Sequence, residues 1–203
     1  MAIKTVIFDM DGTITRPFLD FDLIRREMGL PPDAGPILEL MERMSQEERA
    51  RAEEVLLRHE TNAVAESVLN ESAESTLEAL RAVGINIGVL TRNTRANVEA
   101  VARKHNLRFD AIVDREDGPV KPDAFGVLEL CRRFRTRPEE TIVVGDFLFD
   151  VLSAKAAGAI AVLLVNCPKA QDYAEYADYV ITSLDEVLDI IDNIGRNVKG
   201  SSC

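Results

Sequence analysis

The chain has 203 residues, 46% of them hydrophobic, with 35 acidic residues against 24 basic ones and a formal net charge of -11. That length and composition suit one core domain with a small accessory domain, and the acidic balance argues against nucleic acid as the main partner, because phosphate-backbone binding needs a basic footprint. The three cysteines, Cys131, Cys167 and Cys203, are too few, odd in number and too widely spaced for a disulfide framework or a zinc pattern.

The first element is the run Val6-Ile7-Phe8, read as a strand buried on both faces, as in a parallel sheet. It ends in Asp9-Met10-Asp11-Gly12-Thr13. In parallel sheets ligands collect beyond the carboxyl ends of the strands, so two acids beside a glycine turn mark a candidate site. Close carboxylates resist joint ionisation unless a cation or a proton intervenes, and a hard, oxygen-seeking ion such as Mg²⁺ suits them. One reading makes Asp9 a nucleophile toward phosphorus and Asp11 a proton donor and acceptor, with the pKa of Asp11 above that of Asp9. The alternative is a pair of turn acids.

From about Arg16 to Ser72 no strand pattern occurs. Leu19 to Met28 reads as a helix stopped by Gly29 and Pro31-Pro32. Pro36 opens a second helix through Met44. Ser45 with Glu48 forms a capping-box pattern for a third helix reaching about Leu69. Phe18 and Phe21 are expected in the core of this helical module, with Met41 and Met44 at helical spacing beside them. His59 and His105 read as structural or solvated. Arg16, at the entrance, is a candidate substrate contact or a surface ion-pair residue. A module inserted directly after the acid pair could fold over the site and exclude water.

The alternation then resumes. Ile85 to Leu90 ends at Thr91 and is followed by a helix from about Thr94 to His105. Ala111 to Val113 ends at Asp114. Thr141 to Gly145 ends at Asp146 and is followed by a helix across Val151 to Ala157. Ile160 to Val165 and Tyr179 to Ile181 complete the strands. Strands alternating with helices imply a parallel α/β sheet. The expected division is residues 1–15 and 73–195 as core, 16–72 as helical cap and 196–203 as a flexible tail. No secretory signal pattern opens the chain, and no run approaches the roughly 18 apolar residues of a membrane span, so a cytoplasmic protein with reduced thiols is expected.

Each later strand end offers one chemical group. The Thr91 hydroxyl and neighbouring amides can cradle phosphate oxygens or cap a helix, and Arg92 and Asn93 can add donors or stand in solvent. Lys121, before Pro122, sits on a loop, either as a solvated surface lysine or as an ammonium that offsets phosphate and carboxylate charge. Asp146 ends the third long strand and can reach the metal of Asp9. Asp150 lies one helical turn on and can orient Asp146 or a metal-bound water; the alternative makes the two acids a helix N-cap and a solvated first-turn acid.

Taken in order, these residues resemble the haloacid dehalogenase-like hydrolases. Asp9 through Thr13 match that family's first motif, Thr91 the second, Lys121 the third and Gly145-Asp146 through Asp150 the fourth. The resemblance implies a Rossmann-like three-layer α/β/α sandwich. It also implies Mg²⁺ held by the Asp9 carboxylate, the Asp11 main-chain oxygen and the Asp146 carboxylate, with Asp9 as nucleophile, Asp11 as acid/base and Thr91 and Lys121 holding the phosphoryl group. Gly12 and Thr13 join Arg16, Arg92 and Asn93 as candidate substrate contacts. The insertion resembles the small helical cap of phosphoglycolate phosphatase-like members. Dehalogenating members lack the second acid, which is present here as Asp11. Phosphonate-cleaving members use a cap lysine, and no lysine lies between Lys4 and Lys104. The implied activity is Mg²⁺-dependent hydrolysis of small phosphorylated metabolites, such as phosphoglycolate or sugar phosphates. A phosphomutase of the phosphoglucomutase-like branch, a phosphoacceptor signalling module and a binding protein are the competing readings.

Overall fold

The computed structural model describes the backbone of residues 2–200 and the side chains of residues 2–196. The chain divides into two compact units, Met1–Pro17 with Val68–Cys203, and Phe18–Ser67.

The larger unit is built on six strands: β1 (Thr5–Phe8), β2 (Asn86–Leu90), β3 (Ala111–Val113), β4 (Thr141–Gly145), β5 (Ile160–Leu164) and β6 (Tyr179–Ile181). They form one sheet in the order β3-β2-β1-β4-β5-β6, and every neighbouring pair is parallel. β1 is central, paired to β2 and β4, with Phe8 opposite both Val89 and Val144.

Successive side chains point to opposite faces of a strand, and both faces of this sheet are covered. Val6, Phe8, Ile87, Ile142 and Val144 pack with Leu77 and Leu80 of a helix over Ala73–Ala82 and with Leu184, Val187 and Ile190. The last two lie on the C-terminal helix Glu186–Gly200. On the other face Ile7, Leu90, Val143 and Leu163 pack with Val127 and Leu130 of the helix Phe125–Phe134 and with Val151 and Ala154 of the helix Leu148–Ala157. Helices on both faces of a parallel sheet make a Rossmann-like α/β fold.

The smaller unit holds three helices: α1 (Phe21–Glu27), α2 (Ile37–Met41) and α3 (Gln46–Glu66). Asp20 caps α1 by accepting from the Leu23 amide at 2.9 Å. The expected capping box at Ser45 and Glu48 is present at the start of α3. Ile24, Ile37, Met41, Ala52 and Leu56 form its buried cluster, with Met44 partly buried against it. Glu27 on α1 accepts from Arg58 on α3 and bonds His59 Nε2 at 3.0 Å. Arg25 Nη1 reaches the Gly35 carbonyl at 3.3 Å.

In chain order the remaining helices are α4 (Ala73–Ala82), α5 (Arg95–Lys104), α6 (Phe125–Phe134), α7 (Leu148–Ala157) and α8 (Glu186–Gly200). Two expectations are corrected. Phe18 and Phe21 are 52% and 50% exposed and lie outside the buried cluster; Ile24 and Ile37 take the core positions instead. α2 stops at Met41, where backbone turns at Arg43 and Met44 replace the helical ladder. α8 runs to Gly200, into the segment 196–203 expected as a flexible tail; residues 201–203 lie outside the described residues. No helix among the described residues is long and apolar enough to cross a membrane.

Candidate active site

Four adjacent strands, β2, β1, β4 and β5, each place polar groups at their carboxyl ends. Asp9 follows β1 directly, and its amide donates to the Val144 carbonyl at 2.9 Å. The chain then turns through Gly12, whose φ is +98° and where a Cβ would strike the Asp146 carboxylate. Only a residue without a side chain adopts that backbone at that distance. The turn is pinned from afar by Asn70, whose Nδ2 donates to the carbonyls of Gly12 at 2.9 Å, Thr13 at 2.7 Å and Thr15 at 3.3 Å.

Asp146 leaves β4 in the same direction. Its Oδ1 accepts from Thr13 Oγ1 at 3.2 Å, and its Oδ2 accepts from Asn166 Nδ2 at 3.3 Å. Asp150 opens α7, accepting the Phe147 amide at 3.0 Å. Gly145 is required beside it, since a Cβ there would run into the Asp150 carboxyl.

Carboxylate oxygens of Asp9, Asp146 and Asp150 lie within 4.8 Å of one another. Lys121 enters this cluster from its loop with the side chain 4% exposed. Its Nζ donates to Asp9 Oδ1 at 2.5 Å, Asp150 Oδ1 at 2.6 Å and the Leu90 carbonyl at 2.9 Å. All three donor hydrogens of the ammonium are therefore engaged.

One ammonium stands against three carboxylates, and the electrostatics follow. Burial pushes Asp9 well above the usual carboxylate range; Lys121 opposes this, while Asp150, Asp146 and Asp11 add to it. Asp146 is pushed up to about 6, by burial first and by Asp150 second, with Asn166, Lys121 and Thr13 opposing. Burial would lower Lys121, but Asp150 and Asp9 outweigh it and hold the ammonium above its ordinary value. Burial also raises Asp11, opposed by the Asn93 hydrogen bond and by the charges of Lys121 and Arg115. Both acids are raised, and Asp9 carries the added repulsion of three neighbouring acids. Such crowding of buried oxygens with one countercharge is the condition a hard divalent cation relieves, so the donor set fits one.

Around this cluster the sequence-derived residues divide. Asn93 is buried and donates from Nδ2 to Asp11 Oδ2 at 2.9 Å. Thr91 is buried at the end of β2, and its hydroxyl accepts from the Asn93 amide at 3.0 Å, which leaves its own proton to donate. Thr13 commits its hydroxyl to Asp146 rather than to open space. Arg92 donates to the Lys121 carbonyl and stacks over the Phe149 ring at 5.0 Å, so it braces the lysine loop. Arg16 is exposed and tied by its backbone amide to the Val68 carbonyl at 2.8 Å; it is not drawn into the carboxylate cluster. Asp150 pairs with Lys121 rather than with Asp146. Sequence reading passed over Asn70, Asn166 and Arg115, each in a loop or turn with no periodic or motif signal of its own. The only hint was that Asn166 follows an apolar strand, as Asp9 and Asp146 do.

The profile of the haloacid dehalogenase-like hydrolases matches residues 3–158. An uncharacterised hydrolase of Saccharomyces cerevisiae is 31% identical over 204 residues, covering 96% of this chain and 93% of the relative. A phosphoglycolate phosphatase of Chromobacterium violaceum is 28% identical over 217 residues, covering 94% and 97%. Among solved structures, a hydrolase from Pseudomonas syringae superposes with a TM-score of 0.79 at 19% identity, over 94% of this chain and 99% of that one; this likeness concerns the fold. The chain belongs to the haloacid dehalogenase-like hydrolase family and is a hydrolase.

Proposed function

We propose that this protein is a Mg²⁺-dependent phosphatase of small phosphorylated metabolites that works through a phosphoryl-aspartate on Asp9. The observation that carries the reading is the meeting of Asp9, Asp146 and Asp150 oxygens within 4.8 Å around the Lys121 ammonium. Relatives named phosphoglycolate phosphatase and pyrophosphatase over nearly the whole chain support it.

The carboxylates of Asp9 and Asp146 and the main-chain oxygen of Asp11 would hold the cation. When bound it neutralises phosphoryl charge and lowers the pKa of its carboxylate ligands. Asp9 then attacks phosphorus as the carboxylate, and the bond from phosphorus to the leaving oxygen breaks. Asp11, buried and raised, gives its proton to that oxygen. In the second half Asp11, now ionised, takes a proton from water, which attacks the phosphoryl group and returns Asp9 and inorganic phosphate. Asn93 holds Asp11 at 2.9 Å for both transfers. Lys121 fixes the unattacking oxygen of Asp9 and places positive charge where the phosphoryl oxygens gather. Thr91 offers its hydroxyl proton to one of them.

A panel of phosphorylated metabolites, including phosphoglycolate, hexose phosphates and inorganic pyrophosphate, tests the reading. Turnover to free phosphate with Mg²⁺ and its loss in EDTA are expected. Conversion of a hexose phosphate to its isomer without phosphate release would turn the assignment to a mutase. No turnover across the panel with Mg²⁺ would refute it.

A further inference from the structure

Asn166 lies two residues beyond β5, outside every motif described above. Its Nδ2 donates to the Gly12 carbonyl and to Asp146 Oδ2, the latter at 3.3 Å. It therefore ties the turn after β1 to the acid after β4 from a third strand end. With Thr13 on Oδ1, each oxygen of Asp146 has one protein donor. Gly12 lies against the same carboxylate and is held a second time by Asn70 at 2.9 Å. The orientation of Asp146 is thus set by a closed group of contacts in which Asn166 is the bridge.

The other end of the amide is the second observation. Asn166 Oδ1 is buried and has no hydrogen-bond partner among the described residues. A buried acceptor without a donor is costly to leave unmet. The amide cannot be turned to escape this, because both groups facing Nδ2 are acceptors. A buried acceptor beside a cation ligand is suited to a water that the cation keeps.

We propose that Asn166 is a positioning residue for cation binding: it fixes the Asp146 carboxylate against the Gly12 turn and offers Oδ1 to a water carried by the ion. This rests on the proposed Mg²⁺ site and extends it to a third strand end.

Calorimetric titration of Mg²⁺ alone into the metal-free full chain tests it without reference to turnover. Asn166→Ala is expected to bind Mg²⁺ about ten-fold more weakly than wild type, the loss typical of groups that orient metal ligands. Asn166→Ser, a smaller perturbation, is titrated in parallel so that poor folding of one variant does not decide the result. Circular dichroism and the metal-free melting midpoint report folding separately. A purely structural amide would lower that midpoint and leave Mg²⁺ affinity unchanged. Weakening by about three-fold or more in a folded variant supports the proposal, and a smaller change in both variants overturns it. A wild-type chain that binds no Mg²⁺ overturns the proposal and the metal reading together.

Discussion

Ion pairs occupy opposite settings in this molecule. In the helical unit, Arg49 meets Glu53 at 2.9 Å on α3 with both side chains more than half exposed, and Arg51 meets Glu47 nearby. In the larger unit, Lys121 meets Asp9 and Asp150 with every partner nearly sealed from water. Exposed pairs one helical turn apart balance charge for charge and are screened. The buried group is unbalanced: one ammonium faces three carboxyl groups. The helical unit gains little from its charges and is held by Ile24, Ile37, Met41 and Leu56. The larger unit instead crowds buried carboxyl groups at its strand ends, an arrangement of the kind that clusters at functional sites.

Cutting each kind of pair sharpens the contrast. Lys121→Met leaves three buried acids with no countercharge. We expect a loss of about 3–5 kcal/mol in metal-free urea unfolding, with part of it recovered by saturating Mg²⁺. The matched cut on α3, Arg49→Ala, is expected to cost about 0.5 kcal/mol or less. Equal effects from the two variants would dissolve the distinction.

A smaller effect comes from pH. Asp146 is held at about 6, and Asp9 and Asp11 shift in the same direction, chiefly by burial. A carboxyl raised above its unfolded value of about 3.9 stabilises the fold below that value, and the stabilisation is lost as pH rises through the folded value. In EDTA the melting midpoint should therefore fall between about pH 4.5 and 7, and saturating Mg²⁺ should flatten the slope. Glu129 and Glu140, held near 2 by hydrogen bonds from Arg132 and Lys4 respectively, act in the opposite sense but only at more acidic pH. A metal-free midpoint that rises across the same window would contradict the charge accounting.

Much of this arrangement was legible in the residues because buried parallel strands have a plain signature. All six apolar runs are strands, and the groups at three of their ends, Asp9, Thr91 and Asp146, fall at one rim with Lys121 beside them. α4 and α6 were not legible. Neither has a side-chain hydrogen bond at its N-cap, and Ser72 before α4 sits at φ 64°. Their start signals are absent from local chemistry and supplied by packing on the sheet. Phe18 and Phe21 misled because aromatic residues are usually buried, whereas here the three-helix cluster is filled by aliphatic side chains. Asn70, Asn166 and Arg115 carry no spacing rule. An isolated amide acquires meaning only when distant strands bring a carbonyl and a carboxylate to it.

The central claim is that Asp9 takes the phosphoryl group and Asp11 manages the proton. Asp11→Asn with p-nitrophenyl phosphate isolates these steps, because p-nitrophenolate leaves without a proton while the water attack still needs a base. A stoichiometric burst of p-nitrophenolate, a slow phase after it, and a phosphorylated peptide containing Asp9 in the acid-quenched protein are predicted. Absence of both the burst and the Asp9 adduct, under conditions where the wild-type chain turns over, would contradict the account.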